Sequence, residues 1–167
     1  MTQDNPTSYE TRAGLAEVES FDIIGISIIT DNEKGTNDIN ALWERFFKES
    51  IGQFVPNKTD DVIYAVYSDY EGDHEKPYRL TIGYRVNGEE TPETMHRVNV
   101  KSQEYAVMSA AGKQPDALIE TWKAIWSSTD LPRSYTTDFE VYGPRFFEDG
   151  INEVLVHIGI NNDQNND

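Results

Sequence analysis

Apolar positions along the chain fall into one pattern, written twice. Phe21-Asp22-Ile23-Ile24-Gly25-Ile26-Ser27 reads as a strand. It is followed by a segment in which Ile39, Leu42, Trp43, Phe46 and Phe47 recur at helical spacing, with Asn37 or Asp38 as cap. Strands through Ile63–Glu71 and Tyr78–Val86 come next. The second half repeats the order, with a strand over Glu104–Ser109 and then a helix carrying Leu118, Trp122, Ile125 and Trp126. Pro115 and Asp116 stand at its start and Pro132 beyond its end. A strand ending in Thr137-Asp138-Phe139-Glu140-Val141-Tyr142 and a last one over Glu153–Ile160 complete the copy. Asp69-Tyr70-Glu71 and Asp138-Phe139-Glu140 fall at corresponding places.

A β-α-β-β unit this short cannot bury its apolar face alone. The pattern therefore predicts an α+β fold of duplicated β-α-β-β units, related by a pseudo-twofold around a central ligand pocket, each half a three-stranded antiparallel portion with one main helix. The expected organisation is a loose or strand-extending segment over 1–20 and one domain over 21–160, built of repeats at about 21–90 and 96–160. A disordered tail of Asn, Asp and Gln follows over 161–167.

Charge narrows the function. Thirty Asp and Glu against 14 Lys and Arg give a net charge of -16. A nucleic-acid surface needs a basic stripe to displace counterions, so direct nucleic-acid binding is not expected. With no Cys there is neither a disulfide framework nor a thiol nucleophile. His74, His96 and His157 show no ligand spacing, so no metal and no cofactor are expected. There is no apolar run of membrane-spanning length and no secretory leader, which makes a cytoplasmic protein the default.

Alternation along the strand from Tyr135 puts Phe139 and Val141 on one face and Asp138, Glu140 and Tyr142 on the other. Glu140 thus lies between aromatic residues, beside a tryptophan-bearing helix. An edge glutamate facing water fits this pattern; so does a carboxylate in an aromatic-walled seam, where burial without a partner is costly and a bound cation relieves it. Aromatic faces would add about 0.5–2 kcal/mol each through cation–π attraction. Trp43 and Phe47 read as core, whereas Trp122 and Trp126 fit core and pocket equally. Tyr67 and Tyr84 can reach the seam or simply pack. No catalytic constellation is visible.

The chain resembles the GyrI-like effector-binding superfamily, and more closely the stand-alone effector-binding proteins encoded by integron gene cassettes. The resemblance rests on Ile24-Gly25-Ile26-Ser27, Ile39 to Phe47, Val55-Pro56-Asn57-Lys58, Ile63 to Glu71, Tyr105-Ala106-Val107, Ile119-Glu120-Thr121-Trp122 through Trp126, and Asp138 to Tyr142. It implies a pocket for hydrophobic, often cationic, small molecules, with Glu140 meeting the positive charge. The residues expected to bind ligand are Glu140, Trp126, Tyr142, Trp122, Tyr67 and Tyr84. Regulators of this type carry a helix-turn-helix domain, which the twenty residues before Phe21 cannot form. The expected activity is therefore small-molecule effector binding in a setting of transcriptional regulation or drug sensing, with a transcription regulator or another protein as the candidate macromolecular partner. A GyrI-like hydrolase using Glu140 to activate water, and an acidic protein-interaction inhibitor, are the alternatives.

Overall fold

A computed structural model describes residues 14–33, 35–72, 75–128 and 131–161. The expectations for residues 1–13, for the tail from 162 and for His74 lie outside the described residues. The elements are β1 (Gly14–Val18), β2 (Phe21–Thr30), α1 (Gly35–Lys48), a 3-10 turn (Ile51–Gln53), β3 (Lys58–Ser68), β4 (Tyr78–Val86), β5 (His96–Val100), β6 (Gln103–Ala110), α2 (Asp116–Ser127), β7 (Arg133–Tyr142) and β8 (Val154–Ile160). All eight strands join one sheet in the order β1-β6-β8-β7-β3-β4-β2-β5, and every pairing is antiparallel. The α+β class read from the sequence is the observed one.

The order is a palindrome of counterparts, in which β1, β2, β3 and β4 match β5, β6, β7 and β8. Register follows the same rule. Gly14–Val18 pairs with Gln103–Val107, and His96–Val100 pairs with Phe21–Gly25. The register shift between Lys58 and Ile63 on β3 has its counterpart between Arg133 and Asp138 on β7. With the strands matched this way, Ala65 is the counterpart of Glu140, and the β3–β7 ladder pairs those same two residues.

Two strands differ from expectation. Each half contributes four strands rather than three, because β1 and β5 add to the sheet edges. Neither extends a neighbour in sequence: β1 leaves β2 after Glu19-Ser20 to pair with β6, and β5 leaves β6 after Lys101-Ser102 to pair with β2. Both are five residues long, too short for periodicity to declare them. These links decide the sheet's shape. A link of two residues reaches about 11 Å between flanking strand ends, whereas the strands it joins stand six places apart, about 29 Å in a flat sheet. The sheet must curl until its ends approach.

The curl closes one face on itself. Phe139 on central β7 meets Phe21 of β2 edge-on at 5.5 Å and Tyr105 of β6 at 5.2 Å, although those strands lie toward opposite ends. Ile23, Val66 and Val100 complete this buried cluster. His157 stacks on Phe139 at 4.3 Å. The other face carries both helices: Leu42 and Phe46 of α1, and Trp122 and Ile125 of α2, pack onto Ile24, Ile26, Ala65, Leu80, Ile82, Met108, Val156 and Ile158. α1 begins at Gly35, earlier than the sequence suggested, so Asp38 sits in its first turn and accepts a 2.7 Å hydrogen bond from Thr30 Oγ1 instead of capping the helix. β3 ends at Ser68, since Asp69 turns to φ 54. Asp69-Tyr70-Glu71 therefore lies past the strand and is not the counterpart of Asp138-Phe139-Glu140.

Gly25 and Gly83 face each other across β2 and β4. A Cβ on Gly25 would lie 1.8 Å from the carbonyl oxygen of Ile82, and one on Gly83 would lie 2.0 Å from that of Ile24. Backbone, unlike a side-chain tip, cannot step aside. Gly25→Ala and Gly83→Ala are each expected to destabilise the protein by about 3 kcal/mol, read as a lowered urea midpoint; an unchanged midpoint in either variant would show that the two strands are less crowded than described.

Candidate functional site

The helices leave a cavity of about 560 Å³ between them, over the central strands β3 and β7. Alternation along β7 turns Glu140 and Tyr142 toward it and sends Phe139 and Val141 to the opposite face, where they join the curled core. The same parity on β3 turns Ile63 and Tyr67 into the cavity. Trp43 lines it from α1, and Leu118, Trp122 and Trp126 line it from α2. At its rim Phe47, Ile119 and Phe147 are exposed by 56%, 41% and 58%, an apolar mouth facing solvent.

Glu140 is the centre of the cavity floor and is 1% exposed. Tyr142 donates its hydroxyl to Oε1 at 2.6 Å. Tyr67 donates to Oε2 at 2.8 Å, and the indole Nε1 of Trp122 donates to the same oxygen at 2.7 Å. Tyr67 and Tyr142 are counterparts on β3 and β7, so one carboxylate is gripped by the same tyrosine of each half. Ala65, opposite Glu140 on the ladder, leaves room for it. All three donors are neutral. Burial pushes the Glu140 carboxyl above its usual range, and the hydrogen bonds from Tyr142, Tyr67 and Trp122 oppose but do not cancel that rise. Burial and the adjacent carboxylate hold both tyrosine hydroxyls well above the ordinary phenol range, so they remain donors.

A second buried acid lies close by and is differently provided for. Asp138 Oδ2 accepts 2.7 Å from Arg133 Nη2 and also accepts the Tyr70 hydroxyl, while Oδ1 accepts the Gly159 N–H at 2.8 Å. Its charge is therefore paired, and that of Glu140 is not: among the described residues no basic side chain bonds to Glu140.

Of the residues expected to bind ligand, Glu140, Tyr142, Trp122, Tyr67 and Trp126 come together here. Trp122 stands 5.0 Å from Tyr67 and 6.3 Å from Trp126, ring to ring. Tyr84 is placed elsewhere. It lies on the far flank of α1, stacked on Phe46 at 5.7 Å and covered by the Lys58 ammonium at 4.5 Å. Trp43 and Phe47, read as core, belong to the cavity. The signal was present, because Leu42 and Phe46 form one i,i+4 stripe facing the sheet, and Trp43 and Phe47 form a second, rotated toward the cavity. Tyr70, Tyr78, Arg133 and Phe146 also line it and had no legible signal.

Among the described residues no group of His, Asp and Glu is arranged to hold a metal, and no helix is long and apolar enough to cross a membrane. The model of the Cass2 family, integron-associated effector-binding proteins, matches residues 14–162. The chain belongs to this family. Similar proteins include YobU of Bacillus subtilis, whose name assigns it to transcriptional regulation, 30% identical over 139 residues that cover 77% of this chain and 87% of YobU. The transcriptional regulator BrlR of Pseudomonas aeruginosa is 29% identical over 142 residues, 80% of this chain but 49% of BrlR. In fold, the chain is similar to an integron cassette protein from the mobile metagenome of Vibrio cholerae, with TM-score 0.72 at 24% identity, covering 90% of this chain and 97% of that one. It is also similar to the protein SAV2435, solved bound to tetraphenylphosphonium, with TM-score 0.71 at 16% identity, covering 91% and 95%.

The raised carboxyl of Glu140 makes stability depend on pH. In the unfolded chain this side chain titrates near the ordinary value of about 4.3. Its folded value is higher, so its contribution is fully present below the unfolded value and is lost as pH rises through the folded one. His157 works oppositely. Burial lowers its pKa to about 4, so its contribution is lost as pH falls through that range. The difference in unfolding free energy between the parent and Glu140→Gln isolates the first effect. Relative to the variant, the parent is expected to lose stability on titration upward from pH 4; parallel stability curves would show that Glu140 is solvated.

Proposed function

We propose that this member of the effector-binding family binds hydrophobic monocations in the cavity between α1 and α2, with Glu140 as the charge anchor and no chemical conversion. The observation that carries this is one side chain: a carboxylate 1% exposed, raised in pKa by burial and bonded, among the described residues, to the neutral donors Tyr67, Trp122 and Tyr142. An ionised carboxylate without a partner in low dielectric is costly, and a cation entering the cavity removes that cost. Trp43, Trp122 and Trp126 offer ring faces that suit a desolvated, delocalised positive charge better than a strongly hydrated ammonium. The exposed rim of Phe47, Ile119 and Phe147 admits an apolar body.

The geometry favours binding over hydrolysis. A general base needs a lone pair aimed at a water, whereas three of the roughly four acceptor positions of the Glu140 carboxylate are already taken, two at Oε2 and one at Oε1. With relatives named for transcriptional regulation, we place the bound state as a signal in that setting. The ligand is the input, and a regulator of transcription or another protein reads it.

Tetraphenylphosphonium, the ligand named for a protein of this fold, serves as probe. Glu140→Gln keeps shape and hydrogen bonding, since its amide can accept from Tyr67 and Trp122 and donate to the oxygen of Tyr142. Removing the charge is expected to cost about 2 kcal/mol of binding, roughly thirtyfold in Kd by calorimetry. Glu71→Gln, in the exposed turn after β3, should bind as the parent does. Equal affinities for the parent and Glu140→Gln would overturn the assignment and make the acidic surface the better account of cation binding.

A further inference from the structure

The cavity holds a second unsatisfied group, of opposite character to Glu140. The Arg133 side chain is 6% exposed and lines the cavity where β7 begins. Its Nη2 donates to Asp138, but Nε and Nη1 have no hydrogen-bond partner among the described residues, and both are buried. Burying a guanidinium N–H without an acceptor is costly, and a native fold rarely leaves two such atoms on one side chain. The counterpart position on β3 makes the contrast plain. Lys58 lies on the outer flank of α1, with its ammonium over Tyr84 and an ion pair to Asp61, so only the second half brings a cation to the cavity.

We infer that Arg133 is a second ligand anchor, and that the effector is a lipophilic monocation that also carries a neutral oxygen acceptor of carbonyl type. This rests on the reading of Glu140 as the cation anchor and specifies its ligand further. Charge decides between a neutral acceptor and an anionic one. The Arg133 charge is already balanced by Asp138 at 2.7 Å, so a ligand carboxylate would compete with Asp138 and add an anion to a cavity that contains Glu140. A carbonyl oxygen takes the spare N–H groups and adds no charge. Neither atom is open to water, so the oxygen must replace part of the aromatic cover around the guanidinium, whose Cζ lies 4.3 Å from the centre of the Tyr135 ring and 5.9 Å from that of Tyr70. Tyr135 holds φ 55, a conformation unfavourable for a bulky side chain, within the irregular stretch of β7 where its register with β8 shifts. That stretch lacks regular ladder pairing with β8.

The test uses matched cations: tetraphenylphosphonium bearing one acetyl group, at the ortho, meta or para position, each against the same cation bearing the isosteric isopropenyl group. The quantity read is the affinity ratio within each pair. In the parent protein at least one acetyl isomer is expected to bind roughly tenfold tighter than its isopropenyl partner, the worth of a hydrogen bond from a charged donor. The preference should vanish in Arg133→Met combined with Asp138→Asn, which removes the pair without stranding an acid. It should shrink in Arg133→Lys, which keeps the partner of Asp138 and serves if the double variant does not fold. Three results would each overturn the proposal: no acetyl preference at any position, a preference that persists undiminished in these variants, or tighter binding of a carboxylate-bearing analogue than of the acetyl cation. Glu140-dependent binding of tetraphenylphosphonium itself would still uphold the anchor; no binding of that parent cation would remove both readings together.

Discussion

The desolvated carboxylate of Glu140 is the constraint around which the cavity is organised. A charge buried to this depth needs several hydrogen bonds to be tolerated. The fold supplies them from three elements: β3 gives Tyr67, β7 gives Tyr142 and α2 gives Trp122. Each donor is also part of the cavity wall. The groups that make the acid bearable therefore also shape the space beside it, and Trp43, which meets Tyr142 edge-on at 4.8 Å, ties α1 to the same centre. Neutral donors orient the carboxylate without neutralising it.

The curl of the sheet is what makes this arrangement possible. Two-residue links carry β1 and β5 from one end of the sheet to the other, so the ends must come together and one face must fill itself. Phe21, Tyr105 and Phe139 do so from strands near the two ends and at the middle. That leaves only the opposite face to receive helices. Because α1 packs mainly over β2 and β4 while α2 packs mainly over β6, the space over β3 and β7 is only partly filled by the helices. The pocket is thus a consequence of where two helices on a curved, eight-stranded sheet cannot reach.

Much of this was legible in the sequence. The repeated order of strands and helices stood in the chain, and strict alternation from Asp138 to Tyr142 sorted Glu140 and Tyr142 from Phe139 and Val141 correctly. Three things were not legible, each for a physical reason. β1 and β5 are five-residue strands that pair far away in sequence, and non-local pairing leaves no local trace. Tyr84 sits on the correct face of the sheet, but Phe46 of α1 lies over it, and helix placement is not encoded in strand alternation. Arg133 read as an ordinary polar residue at a strand start. What sets it apart is which of its nitrogens lack partners among the described residues, a property of three-dimensional packing alone.

The two halves are alike in order and register but differ at the central ladder position, and that difference bears on why the cavity floor holds a single carboxylate. Ala65 and Glu140 are counterparts and also cross-strand partners. Side chains so paired stand about 4.5–5.5 Å apart at Cβ, so a glutamate at both would set two carboxylates against each other in a buried space, where like charges force one to stay protonated. A duplicated scaffold can therefore use this central position for one acid, and the partner residue must be small. Counterpart tyrosines, Tyr67 and Tyr142, are kept in both halves because a single carboxylate has two oxygens to satisfy. The repeated order supplies the paired donors, and the difference between Ala65 and Glu140 leaves the one carboxylate they hold.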